Sequence, residues 1–174
     1  MTRKNEVRSK PLIDRYASGG AILGYAVLGL NTEQETARGG PGAWSVVELT
    51  AHLLDTDLVF SDRMKRVIAE DEPVLQPFDE NAWSGRLGYQ DTTAGEAVEL
   101  LAANRRWMTR ILRGVADADF ARAGRHPERG RLTLAELLAL ATNHVDHHLR
   151  FLYAKRAKLG IALPPRYGSE ALGV

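Results

Sequence analysis

Residues 143–152, "NHVDHHLRFL", lie in the middle of the stretch that decides the fold, "TLAELLALATNHVDHHLRFLYAKRAK" at 133–158. Leu134, Leu138, Ala141, Val145, Leu149 and Leu152 recur at three- and four-residue steps, which is the stripe of an amphipathic helix. Thr133 followed three residues later by Glu136 fits a capping box at its start, and Gly160 with Pro164 and Pro165 marks its end. This predicts a helix from Leu134 to about Lys158. It carries three of the five histidines of the chain, His144, His147 and His148. His144 and His148 are four residues apart, so their rings are offset by about 40° and can converge on one ion. His147 is offset from His144 by about 60° the other way and could replace His148, although both would crowd one site. Asp146 is expected on the opposite, solvated side. A pair of this kind is either polar decoration on a core helix or half of a metal site.

Working outward, "SVVE" (Ser45, Glu48) and "TAGE" (Thr93, Glu96) fit the same capping pattern, each before an apolar-periodic stretch. They predict helices from Trp44 to about Glu70 and from about Thr93 to Leu112. A further helix is expected from Ser9, with Pro11 in its first turn, toward Leu30. No stretch alternates with period two, so no sheet is expected. The prediction is all-α: a four-helix bundle in which the long segment between helices two and three, "DEPVLQPFDENAWSGRLGYQDTT", permits a crossover connection. One domain is expected over 1–174, with its core at about 9–158 and an irregular tail at 160–174.

Composition narrows the function. Twenty-three basic and 22 acidic residues nearly cancel, so no global field favours nucleic acid or a membrane surface. There is no cysteine, which excludes disulfides, thiolate ligands and a cysteine nucleophile from this chain. "MTRKNEVRSK" lacks an apolar signal core and no apolar run is long enough to span a bilayer, so a cytoplasmic protein is expected. Arg106, Arg110 and Arg113 line one helix face beside Trp107; with no net basic excess this reads as a solvated face rather than a nucleic-acid grip.

A split site would need a third histidine. His126, in "RAGRHPERG", reads as a solvated loop residue. His52 lies mid-helix, flanked by Leu49, Leu53 and Val59, and alone would read as a satisfied core residue. Asp55, one turn on, is either an ordinary helix-edge carboxylate or a group that holds a ligand ring or accepts a proton.

The motifs "PGAWSVVELTAHLLDTD" and "NHVDHH", about ninety residues apart on helices two and four, resemble those of the DinB/YfiT-like superfamily of small four-helix-bundle metalloproteins, over about residues 9–158. The resemblance implies one divalent metal held by His52, His144 and His148; by their positions on the helices, Asp55 and His147 are candidates to line that site. The chain departs from it in "LRFL" after His148, where many relatives carry a polar turn with glutamine. Three neutral imidazoles leave such an ion its charge and open positions, and suit zinc, nickel, iron or cobalt alike. The resemblance implies a small-molecule substrate, a homodimer, and one of two chemistries. The first expectation is a thiol-dependent S-transferase using a low-molecular-weight thiol as co-substrate, which the absence of cysteine mildly favours. The alternatives are a metal-dependent hydrolase and a non-enzymatic stress-related binding protein with a structural or vestigial metal.

Overall fold

A computed structural model describes residues 9–167. Six helices follow in order: α1 (Ser9–Val27), α2 (Thr32–Thr36), α3 (Val46–Ala69), α4 (Glu80–Arg86), α5 (Ala94–Leu112) and α6 (Leu134–Lys158). The four long ones form the expected bundle. Ser45 caps α3 and Thr133 caps α6 in full capping boxes. The third box is only half made: Thr93 accepts from the Glu96 amide, but the Glu96 carboxylate takes the Thr92 hydroxyl instead of returning to the cap. A box that was not anticipated, Asn31 with Gln34, opens α2. The first helix stops at Val27, short of Leu30, where Gly29 turns left-handed at φ 73°.

Cross-links between helices give the path of the chain. Asp57 of α3 bonds Asn104 and Arg105 of α5, and Ser45 at the start of α3 bonds Gln90 just before α5, so α3 and α5 run parallel. Arg15 pairs with Asp146 and Arg156 reaches the Ala26 carbonyl, so α1 and α6 are parallel too. The order is therefore up, down, down, up. Parallel neighbours cannot be joined by a tight turn, so residues 70–93 cross back along the bundle. That crossover carries α4 and a 3₁₀ turn at Tyr89–Asp91.

The expectation of no sheet is corrected by a small antiparallel hairpin, β1 (Ala123–His126) and β2 (Gly130–Thr133). Gly130 at φ 71° closes its three-residue loop. Its short strands carry no apolar alternation, which is why period-two reading passes over them. The hairpin pins the start of the crossover: Leu75 donates to the Arg125 carbonyl at 2.9 Å and Arg125 donates to that of Pro73 at 2.8 Å. Gly124 permits this approach, because a Cβ there would stand 2.7 Å from Leu75. His126 is consequently buried in β1 rather than solvated in a loop.

The apolar core has two halves. Leu23, Leu49, Leu53, Leu101, Val145 and Leu149 fill one; Tyr16, Phe60, Met64, Leu112, Phe120 and Leu138 fill the other. Between them lies a buried ion pair, Arg105 with Asp57. Gly19 leaves room for its guanidinium, which a Cβ would overlap. Every residue of the predicted α6 stripe is buried. Asp146, expected to be free in solvent, is instead paired with Arg15 and half-buried. The tail at 161–167 is irregular but attached, with Tyr153 bonded to both backbone groups of Arg166. The rest of the predicted tail lies outside the described residues. None of the described helices is long and apolar enough to cross a membrane.

Candidate metal centre

The antiparallel pair α3 and α6 presents His52 to His144 and His148. One helical turn separates the latter two, so their rings leave α6 on the same side. His144 Nε2 stands 3.3 Å from His52 Nε2 and 3.1 Å from His148 Nε2. One ligand atom from each residue falls within 4.8 Å of the others, and this is the one group of three or more such side chains among the described residues. For comparison, ligand atoms bound tetrahedrally at about 2.0–2.1 Å stand about 3.3 Å apart.

The chemistry of these donors fits a cation. Each neutral imidazole has one N–H and one lone pair, so three ring nitrogens meeting at a point cannot all satisfy one another. Among the described residues the buried His148 Nδ1 has no partner. Burial, together with neighbouring rings, pushes His144 down to about 3 and His148 down to about 4. Burial also lowers the pKa of His52, against the pull of Glu80 and Asp55. At neutral pH the lone pairs are free to bind metal.

The surroundings separate the remaining sequence candidates. Asp55 accepts a 2.5 Å hydrogen bond from the Tyr89 hydroxyl, tying α3 to the turn before α5, and bonds none of the histidines. Burial and that carboxylate raise the pKa of Tyr89. His147 is exposed and meets His148 and Phe151 edge-on. Trp44 covers His52, with ring centroids 4.7 Å apart. Glu80, which sequence reading missed, brings its Oε2 to 3.8 Å from His52 Nε2. It comes from α4, inside the crossover, and no spacing to the histidines could have announced it. Arg106 and Arg110 lie exposed on α5, with Arg110 stacked over Trp107 and Arg113 paired with Asp14.

A family model described as the DinB superfamily matches residues 21–152. The chain belongs to the DinB superfamily. Among relatives, a "Putative metal-dependent hydrolase" of Geobacillus thermodenitrificans is 32% identical over 141 residues, 79% of this chain and 78% of that protein. Another of Oceanobacillus iheyensis is 30% identical over 128 residues, 74% of each. The solved structure of YfiT from Bacillus subtilis matches with a TM-score of 0.82 at 25% identity, covering 92% of this chain and 93% of that one. It is described as "a probable metal-dependent hydrolase with an unusual four-helix bundle topology". This DinB chain shares that bundle.

Proposed function

We propose that the protein is a metal-dependent hydrolase of a small-molecule substrate, with His52, His144 and His148 holding one divalent ion. The observation that carries this reading is the convergence of three ring nitrogens with no adequate partners of their own. An ion held there supplies Lewis acidity, polarising a substrate oxygen and easing loss of a proton from water. Glu80, whose Oε2 lies 3.8 Å from His52 Nε2, would be the carboxylate to take up that proton, and its exposure would let it pass the proton to solvent. Trp44 closes the His52 side against water. Zinc, nickel, iron and cobalt all suit an all-imidazole set.

The names of the relatives favour hydrolysis over the thiol transfer that the sequence alone put first. Glu80 adds to this, because activation of water needs a proton acceptor whereas a thiol ionises more readily. The test is turnover of an activated ester by the purified protein. Activity should vanish on chelation and return with a divalent metal, and His144→Ala should not be rescued. Glu80→Gln should keep its metal yet lose about a hundredfold in kcat. Turnover that is indifferent to chelation sinks the reading, and turnover that needs an added thiol replaces it with the transferase.

A further inference from the structure

Beside the histidine cluster lies a cavity of about 490 Å³ whose wall runs from His144 and Glu80 to Arg63, His126 and Arg129. Arg63 is 7% exposed and has no carboxylate partner among the described residues. Its Nε and Nη2 both donate to the Gln76 carbonyl, and among the described residues Nη1 finds no acceptor. Burial and the charge of Arg129 lower its pKa, outweighing the pull of Asp62, which does not pair with it.

His126 sharpens the case. Its Nδ1 accepts from the amides of Glu128 and Arg129, so the proton of the neutral ring lies on Nε2. That Nε2 is 3.4 Å from Arg63 Nη2. Two donors thus face each other, and among the described residues no acceptor lies between them. Thr56 Oγ1, on the same wall, is buried with no partner. The acids on the wall do not fill this role: Asp79 is engaged in capping α4, Glu80 sits by His52, and Glu128 bonds neither Arg63 nor Arg129.

We infer that this end of the cavity binds an oxyanion, a carboxylate or phosphate group on the substrate, between Arg63 and His126, leaving the bond to be cleaved at the histidine cluster. The second half rests on the hydrolase reading; the first does not. A charge-assisted pair of donors fixes such a group more firmly than an apolar wall would.

The binding arm follows the His126 ring nitrogens by ¹⁵N NMR while inorganic phosphate or succinate is added, with the protein as purified and again after chelation. A saturable shift is expected with at least one anion, and the tighter of the two names the class. Arg63→Met should weaken binding about tenfold, the scale of one charge-assisted hydrogen bond, and Arg63→Lys less. Should Arg63→Met fail to fold, the exposed Arg129→Gln decides, with a several-fold loss expected. No saturable shift, or equal affinity in the folded variants, overturns the inference.

The activity arm compares monoethyl succinate with ethyl butyrate. Preference for the anionic ester by about tenfold or more is expected on the same scale. Equal turnover overturns the substrate assignment even where the anion binds. Anion binding without turnover of either ester defeats the hydrolase reading and leaves the oxyanion site standing.

Discussion

Two polar groups sit inside the same bundle, five residues apart on α3, and they are built on opposite principles. Around Asp57 every strong donor finds an acceptor. Arg105 Nε gives to Asp57 at 2.8 Å, Nη1 to the Tyr16 carbonyl at 3.1 Å and Nη2 to that of Ala141 at 2.9 Å. The other Asp57 oxygen takes Asn104 at 2.7 Å. Around His52, among the described residues, the ring nitrogens hydrogen-bond only one another and His148 Nδ1 has no partner. A saturated network holds α1, α3, α5 and α6 in register, because leaving any one group unpaired there is costly. An unsaturated cluster is a place for something to bind. Burial alone would not have told the two apart, since His52 and Arg105 are each 1% exposed.

The contrast can be broken by mutation. The largest effect should come from Arg105→Ala, which strands the Asp57 carboxylate in the core. A loss of about 3–5 kcal/mol in stability by urea denaturation is expected, as for other broken buried pairs. Gly19→Ala should follow at about 1–3 kcal/mol, because its methyl overlaps a guanidinium already held at three points. Loss of a similar amount from the neighbouring Gly20→Ala is also expected, since its Cβ would lie 2.7 Å from that of Ala102. His144→Ala should cost the metal-free protein about 1 kcal/mol or less while abolishing metal binding, because it removes only contacts between rings that cannot all satisfy one another. A metal-free His144→Ala as unstable as Arg105→Ala would erase the distinction.

The contrast also has a pH dependence. His144 and His148 titrate at about 3 and about 4 in the folded chain, below the ordinary value of about 6.5 expected when unfolded. Above about 6.5 both states carry neutral rings and stability is full. As the pH falls below that, the unfolded chain takes up protons that the folded one refuses, so stability declines until the folded rings titrate near about 4 and about 3. Urea midpoints of metal-free protein at pH 7 and pH 5 should show this decline, and it should be shallower in His144→Ala.

Much of this was legible in the sequence. Ser45 with Glu48, Thr133 with Glu136 and the leucine stripe of α6 act over single helical turns, where spacing is sufficient. The convergence of His52 with His144 and His148 needed the motifs as well, since ring offsets alone left His147 in contention. What escaped depends on contacts between distant segments. Nothing near Asp57 announces Arg105, and Glu80 reaches His52 only because the crossover returns along the bundle. His126 looked solvated because its cover, Arg63 and the crossover, comes from elsewhere in the chain.

The crossover divides the labour of the molecule into parts with different tolerance to change. The histidines ride on two long helices whose register is locked by the buried ion pair, so an inserted residue there would turn a ring away. Glu80 and Phe78 ride on a return segment fastened to the hairpin by backbone bonds that do not depend on side-chain identity. A longer or shorter return segment, or a different hairpin tip, would reshape the cavity and leave the three rings where they are. In such a body a reaction at the rings would be inherited with the helices, and its selectivity would be free to drift with the loop that crosses them.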